Sequence, residues 1–420
     1  MDEKLQKAIQ MVENGEINEG LQYLHSLIEK ANHEEKLMIA ELYLQWGFLD
    51  EAKAMIDELL ELYPDEGQLY IYAAEIAIEQ DYEGDALDYL EEIKEDDPAY
   101  LQALILMADM YQMQGLDEAA EQKLLKAKKL APDEALIDLG LGQFYSDIGD
   151  YQKATPFFKK LIQTNAEIEH ANVHLLLADA YVHTGHFEEA LDSYEKGLKD
   201  KIEINGLFNY GVMAYQLERY ELAIAKWNEL KELDPEYVPV YLYLAKANEQ
   251  IGAITESYEV AKQGLQIDPD FKELLVYTAK MAMKIQKHEE VEPYLLKAVE
   301  IDSGFIEAIL LLSSFYLHHE RYEEVVQLLE GAVAADEYDP QFEWDLATAK
   351  NHLDRYKDAL NHYENAYTSF KDNIQFLQDF GYFLLEDGDQ KRAKAMFRQI
   401  LEIDPQYVEI EEELLRLEER

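Results

Sequence analysis

The amino-acid sequence predicts an all-α solenoid of about twelve helix–turn–helix repeats followed by a capping helix. The first observation is a fixed period, because Pro64, Pro98 and Pro132 lie 34 residues apart. The second is that two stretches with apolar residues at helical spacing separate successive prolines. The third is a turn residue between the two stretches, such as Gly252, which suits the left-handed backbone of a tight turn. Such a period is typical of arrays that grow by stacking similar units.

The repeats begin near residues 1, 33, 67, 101, 135, 171, 204, 238, 272, 306, 340 and 374. Mostly small residues recur at the eighth and twentieth positions, where they allow the two helices of a repeat to approach closely. The eighth positions are Ala8, Ala40, Ala74, Ala108, Gly142, Ala178, Gly211, Ala245, Ala279, Ser313, Ala347 and Gly381. The twentieth positions are Gly20, Ala52, Ala86, Ala120, Ala154, Ala190, Ala223, Ser257, Val291, Val325, Ala359 and Ala393.

With these residues in register, the chain resembles tetratricopeptide-repeat (TPR) proteins. Repeats of that family carry a bulky residue at position 4, Leu at 7, Gly or Ala at 8, Tyr at 11, Gly at 15, Ala at 20, an aromatic residue at 24, Ala at 27 and Pro at 32. The resemblance covers essentially the whole chain and implies a right-handed superhelical solenoid. It also implies that the first helix of each repeat lines the concave face, with positions 2, 5, 9, 12 and 13 facing a ligand. The chain is similar to cytosolic TPR arrays of low-GC Gram-positive bacteria, which carry no catalytic module.

The ends and two joints depart from the period. Repeat one carries Lys4 and Lys7 where the family has apolar residues, as expected of an exposed cap. Residues 408–420 read as an amphipathic C-terminal capping helix. Irregular joints at 165–170 and 199–203 are either hinges or harmless length changes in loops. The predicted organisation is an N-terminal array over 1–170, a continuous C-terminal array over 171–407, and the cap.

Composition excludes several classes of partner. The chain carries 37 basic and 88 acidic side chains, a formal net charge of −51, whereas nucleic acids and anionic membrane surfaces attract clustered Lys and Arg. The charge favours cationic partners and a monomer. There is no cysteine and hence no disulfide framework. The N-terminal residues do not resemble a signal peptide, and the longest apolar run is too short to span a bilayer, so a cytoplasmic location is expected.

No pattern of catalytic residues is present, and no catalytic residue, cofactor or metal site is predicted. The sequence lacks a Gly-rich phosphate loop, a nucleophile elbow and a zincin helix. His170 and His174 are four residues apart, a spacing that can place two imidazoles on one helix face for a metal ion. Glu167 and Glu169 lie nearby, but His174 falls at the position-4 packing site and no complete ligand set is evident.

The implied concave face separates into two halves by charge. Position 9 is acidic or polar in repeats two to six and lysine in repeats eight and nine, where position 6 is tyrosine. Position 5 is apolar nearly throughout, which serves either as the floor of a groove or as packing between neighbouring first helices. The lysine-rich stretch is either a binding feature or a chance cluster on an acidic surface. The predicted partner-binding residues are Glu41, Glu75, Asp109, Gln143, Asp179, Tyr243, Lys246, Tyr277, Lys280 and Lys284.

The function predicted from the sequence is a non-catalytic protein–protein interaction scaffold or adaptor. A protein or peptide partner would place basic segments against the acidic half and an acidic group or chain terminus against the lysines. The alternative is a peptide-sensing regulatory protein whose superhelical pitch changes when ligand binds, which small-angle scattering would detect. A further alternative, a regulator or subunit of an enzyme, would co-purify with that enzyme.

Overall fold

A computed structural model describes residues 2–166, 168 and 171–418 of the chain. Within these residues there are 25 α-helices and no strands. The helices form twelve hairpins, each made of an odd-numbered first helix and an even-numbered second helix, and a last single helix. The predicted all-α array of twelve repeats with a C-terminal capping helix is confirmed.

The chain divides into two compact units, residues 1–202 (unit 1) and 203–420 (unit 2). The helices of unit 1 are α1 Asp2–Glu13, α2 Ile17–Ile28, α3 His33–Gln45, α4 Leu49–Leu62, α5 Gly67–Glu79, α6 Glu83–Glu91, α7 Tyr100–Met113, α8 Asp117–Leu130, α9 Ala135–Asp147, α10 Tyr151–Gln163, α11 Val173–His183 and α12 Phe187–Asp200.

The helices of unit 2 are α13 Ile204–Gln216, α14 Tyr220–Leu233, α15 Pro239–Gln250, α16 Ile254–Ile267, α17 Lys272–Lys284, α18 His288–Ile301, α19 Ile306–His318, α20 Tyr322–Ala334, α21 Pro340–His352, α22 Tyr356–Phe370, α23 Ile374–Glu386, α24 Gln390–Ile403 and α25 Val408–Glu418. Unit 1 therefore contains repeats one to six, and unit 2 contains repeats seven to twelve with the cap.

Within each unit, the helices pack mainly against the helices that precede and follow them in the chain. In addition, successive first helices touch one another directly, as α5 with α7, α13 with α15, and α19 with α21. Odd-numbered helices thus lie side by side within each unit. This arrangement brings residues of neighbouring repeats together on the face that the family resemblance assigns to ligands.

Small residues at the eighth position accept large rings from the second helix. In three repeats glycine at position 8 faces an aromatic residue at position 24, namely Gly142 with Phe158, Gly211 with Trp227, and Gly381 with Phe397. A Cβ atom added to Gly211 would lie only 2.2 Å from the Trp227 ring. The ring edge therefore rests on the backbone of the first helix, a contact that only glycine permits.

The capping helix α25 covers the apolar end of repeat twelve. Its Ile410 and Leu417 are buried, and Leu414 packs against the same cluster around Phe380 and Phe397. The capping role expected of residues 408–420 is borne out over the described part of that helix.

The boundary between the units falls within the second irregular joint of the sequence, residues 199–203. The division at residues 170 and 171 made from the sequence remains a prediction. Part of the first joint, Glu167, Glu169 and His170, lies outside the described residues. Among the helices in the described ranges, none is long and apolar enough to cross a membrane.

The turn inside every hairpin contains one residue with positive φ. Seven of these positions are glycine, and the others are Asp81, Glu218, Gln286, Glu320 and Asp354, with φ between 57° and 61°. Non-glycine residues adopt this left-handed conformation at an energetic cost of about 1–2 kcal/mol. The five positions are therefore sites of local backbone strain.

Replacing Gln286 by glycine is expected to stabilise the protein by about 0.5 kcal/mol. Relief of the left-handed strain exceeds the entropy that glycine adds to the unfolded chain. Thermal unfolding monitored by circular dichroism measures the effect. Gly252→Ala, at the equivalent turn with φ 78°, is the matched control and should destabilise by about 1 kcal/mol. A lower melting temperature for Gln286→Gly would contradict the expectation.

Candidate ligand-binding grooves

A concave cavity of about 710 Å³ lies on the first helices of unit 2 (the unit-2 groove). Nearly all of its lining comes from positions 2, 5, 9, 12 and 13 of repeats seven to ten. The lining residues are Tyr215, Leu242, Lys246, Glu249, Gln250, Glu273, Val276, Tyr277, Lys280, Met281, Met283, Lys284 and Glu307. The groove therefore brings together four of the sequence-predicted residues, Lys246, Tyr277, Lys280 and Lys284. Tyr243 packs behind it.

Two of the three lysines in the unit-2 groove form ion pairs with glutamates of neighbouring repeats. Lys280 pairs with Glu307, and Lys284 pairs with Glu249. The Tyr277 hydroxyl also donates a hydrogen bond of 2.7 Å to Glu249. Burial alone would raise the pKa of the Glu249 carboxyl, but the bonds from Lys284 and Tyr277 outweigh it and the pKa lies below its usual value. Glu249 is thus held ionised against the lysine side of the groove.

The remaining lysine and the remaining glutamate of the unit-2 groove are unpaired. Among the described residues, neither Lys246 nor Glu273 forms an ion pair or a hydrogen bond through its side chain. The Lys246 ammonium lies 5.8 Å from the centre of the Tyr243 ring, a weak cation–π contact. Tyr243 is itself fixed edge-on against Phe208, with ring centres 5.1 Å apart. One cation and one anion therefore face the cavity without an ion-pair or hydrogen-bond partner among the described residues.

The three glutamates of the unit-2 groove were missed by sequence reasoning, which expected a basic surface here. Glu273 and Glu307 occupy position 2 of their repeats, and Glu249 occupies position 12. Both positions belong to the ligand-facing set, so extending the position-by-position comparison beyond positions 5, 6, 9 and 13 would have found them. The lining contains three lysines and three glutamates, and the groove is close to neutral.

In unit 1, position 9 of repeats two to six forms a mostly acidic row, with Gln143 as its neutral member. We call it the unit-1 groove, after the concave face that the family resemblance implies. Glu41 accepts a hydrogen bond from the Tyr72 hydroxyl, and Asp179 accepts one from Tyr194. Glu75 accepts a long hydrogen bond of 3.4 Å from the Gln102 amide. Positions 2, 5, 9, 12 and 13 of these five repeats contain no lysine or arginine. Unit 1 thus offers an acidic face without lysine or arginine at the positions that the family resemblance assigns to ligands.

Asp109 is the most available carboxylate of this row. It forms no hydrogen bond or ion pair with any residue that the structure describes. The reason lies in the next repeat, where positions 2 and 6 are Leu136 and Gly140, neither of which has a side-chain donor. Gln143 is likewise exposed. Asp109 is solvent-accessible, but the surrounding helices remove part of its hydration.

Partial burial raises the pKa of both Glu75 and Asp109. A carboxylate with a raised pKa in the folded state binds protons more readily there than in the unfolded chain. Its ionised form therefore lowers stability at neutral pH, and that loss shrinks as the pH falls toward the carboxyl pKa. The ionised forms of these two carboxylates therefore lower the stability of the fold at neutral pH.

Asp109→Asn is therefore expected to stabilise the protein at pH 7.5 by up to about 0.5 kcal/mol. The gain should be smaller at pH 5.5, because the wild-type carboxyl is then closer to its neutral form. Thermal unfolding of both proteins at the two pH values, both above the pI of about 4.4, measures the difference. An equal or larger gain at pH 5.5 would refute the assignment of a raised pKa to Asp109.

No cluster of three or more histidine, aspartate or glutamate side chains in metal-binding geometry occurs within the described ranges. His170, with Glu167 and Glu169, lies outside those ranges. His174 lies within those ranges and interacts with another residue.

Comparison with known proteins identifies related sequences. Family models of YpiA-like tetratricopeptide repeats match residues 112–166, and those of the YpiA-like C-terminal repeats match residues 340–406. General tetratricopeptide-repeat models match residues 148–201 and 175–238. The TPR repeat-containing protein YpiA of Bacillus subtilis (strain 168) is 40% identical over 419 residues, which cover 100% of this chain and 99% of that protein.

Two solved structures share smaller parts of the array. YrrB, described as a TPR protein with an unusual peptide-binding site, is 18% identical with a TM-score of 0.39, over 45% of this chain and 96% of its own. A tetratricopeptide repeat protein from Parabacteroides merdae is 15% identical with a TM-score of 0.40, over 63% of this chain and 99% of its own.

Proposed function

The chain belongs to the YpiA-like tetratricopeptide-repeat proteins, and on that premise we propose that it is a non-catalytic scaffold that binds segments of a partner protein in its grooves. Repeat arrays of this kind use extended concave surfaces for binding. The observation that carries the proposal is the unit-2 groove, where charged side chains surround the partly exposed side chains of Tyr215 and Met283. A volume of about 710 Å³ lies in the range of sites that hold a ligand or a short peptide segment.

The unit-1 groove contributes a second contact surface, which favours cationic side chains. Its carboxylates, above all Asp109 and Glu75, would pair with lysine or arginine side chains of the partner. A cationic side chain of the partner would replace the interactions with water that partial burial removes from these carboxylates. The unit-1 groove is thus assigned to basic segments of the partner.

Affinity must arise from several repeats acting together. An exposed ion pair contributes about 0–1 kcal/mol, whereas a micromolar complex requires about −8 kcal/mol. Several ion pairs combined with burial of apolar side chains on Tyr215 and Met283 reach that range. Single substitutions in either groove should therefore weaken binding by a modest factor, and paired substitutions should abolish it.

The test is crosslinking capture of partners from native lysate with matched charge reversals. In unit 1, Glu75→Lys/Asp109→Lys is compared with Asp57→Lys/Asp88→Lys, at exposed positions on the second helices α4 and α6. In unit 2, Lys246→Glu is compared with Lys357→Glu on the second helix α22, because Lys246 has no ion pair to lose. We expect a partner captured by wild type and by both controls to be lost from at least one groove variant.

Circular dichroism confirms that each variant is folded before capture is scored. Capture that persists in both groove variants would place the binding surface on the second helices or at the ends of the array. That result would overturn the groove assignment. Capture at low salt that disappears equally in variants and controls at moderate salt would indicate unspecific attraction to the acidic chain.

A further inference from the structure

We propose that the unit-2 groove recognises a segment of mixed charge, with one carboxylate for Lys246 and one cationic group for Glu273. This inference rests on the proposed function and specifies the chemistry of the partner at that groove. It is carried by the two unpaired charges of opposite sign that line the same cavity. A single-sign segment would satisfy only one of them.

The next repeat provides an internal comparison. Lys280 and Glu307 occupy position 9 of repeat nine and position 2 of repeat ten, and they form an ion pair. Lys246 and Glu273 occupy the same two positions one repeat earlier, yet they do not pair. The Lys246 ammonium lies instead over the Tyr243 ring. The ion pair is therefore absent between Lys246 and Glu273 and present between the equivalent residues Lys280 and Glu307.

The distribution of charge in the groove argues against a purely acidic or a purely basic ligand. An acidic segment would meet Lys246 but would also approach Glu249, Glu273 and Glu307. A basic segment would meet Glu273 but would approach three lysines. Like charges placed together across an interface cost several kcal/mol. A mixed segment avoids both penalties, since it presents the opposite sign to each unpaired group.

The floor of the groove adds an apolar requirement. The partly exposed apolar side chains that line it are Tyr215 and Met283, whereas the position-5 residues Leu242 and Val276 are only 9% and 2% exposed. Methionine adapts its shape to varied side chains. The ligand class that fits is therefore a short peptide segment with an acidic residue, a basic residue and at least one apolar side chain against this floor.

The experiment is selection of a displayed library of random decapeptides on the purified full-length protein, in parallel on Lys246→Gln and Glu273→Gln. Wild type should enrich peptides with one acidic and one basic residue at a constant spacing. Lys246→Gln should lose the preference for the acidic residue alone, and Glu273→Gln the preference for the basic residue alone. Each variant should bind the best wild-type peptide about two- to fivefold more weakly, as expected for the loss of one exposed ion pair.

A control variant accompanies the peptide selection, and the proposed function has its own separate test. Lys357→Gln, on the second helix α22, should enrich the same peptides as wild type. Enrichment of acidic-only peptides, an unchanged motif in Glu273→Gln, or the absence of any motif would each overturn the mixed-charge assignment. The scaffold proposal fails separately, if lysate capture persists in both groove variants whichever peptides are selected.

Discussion

Trp227→Ala is expected to destabilise unit 2 by about 3–5 kcal/mol, the loss typical of removing a large buried aromatic side chain. Trp227 has no exposed surface. Its indole nitrogen donates a 3.2 Å hydrogen bond to the Phe208 carbonyl, and its ring packs near Tyr215 and Tyr243, with ring centres 6.0 and 5.5 Å away. Because Tyr243 lies beneath Lys246, the substitution should also weaken peptide binding in the unit-2 groove.

Urea unfolding followed by circular dichroism measures the loss for Trp227→Ala. Gly211→Ala alone should be overpacked against the ring and should cost about 1–3 kcal/mol. The double variant Gly211→Ala/Trp227→Leu recreates the alanine–leucine pairing of repeat four, Ala108 with Leu124. Its cost in free energy of unfolding should therefore be smaller than the sum of the costs of Gly211→Ala and Trp227→Leu measured separately. Strict additivity would show that the glycine and the ring do not act as a pair.

The second large effect is expected at Asp138, a buried carboxylate between two lysines of unit 1. Only 2% of its side chain is exposed, and its oxygens lie 2.5 Å from the Lys128 ammonium and 2.8 Å from that of Lys160. Both lysines also donate hydrogen bonds to the Pro132 carbonyl. Burial lowers the pKa of Lys128, whereas the bond to Asp138 raises that of Lys160. The carboxylate thus joins helices α8, α9 and α10.

Asp138→Ala should destabilise unit 1 by about 3 kcal/mol, because it leaves a cavity and removes the counter-charge of two lysines. Asp138→Leu should cost clearly less. It restores the apolar side chain that the repeat pattern places at position 4, and Lys128 and Lys160, 19% and 40% exposed, can reach water.

Thermal unfolding at 0.1 M and 0.5 M salt measures both Asp138 variants against wild type. The loss in Asp138→Ala should persist at high salt, since buried charges are poorly screened. Equal losses in the alanine and leucine variants would mean that cavity formation and packing do not matter at this position. Disappearance of the loss at high salt would mean that Asp138 behaves as a surface charge.

Helix positions were predictable because they depend on residues within one repeat. The repeats expected at 135, 204 and 374 begin with helices α9, α13 and α23 at those residues. The recurring proline and glycine residues in the turns set these boundaries locally. The spacing of the apolar residues identifies the buried face of each helix. The contact between Gly211 and Trp227 also follows from the repeat pattern, since both positions are defined within a single hairpin.

Contacts between repeats were harder to predict from the sequence. The partners of Lys280 and Lys284 lie 27 and 35 residues away, on neighbouring repeats that long flexible side chains can reach. The charge of a groove therefore depends on pairs of repeats, and reading one position at a time overestimates its basic character. Asp138 is a similar case, because its position predicts an apolar residue and its two lysines come from different helices.

The packing of each helix against its chain neighbours has a consequence for how the protein is made. Most contacts between helices join helices that are adjacent in the chain. Such low contact order is associated with fast folding. A hairpin leaving the ribosome finds its packing partner already folded immediately before it, so structure can grow from the first repeat onward during synthesis. Helix α25 emerges after repeat twelve, and only then is the exposed apolar end of that repeat covered.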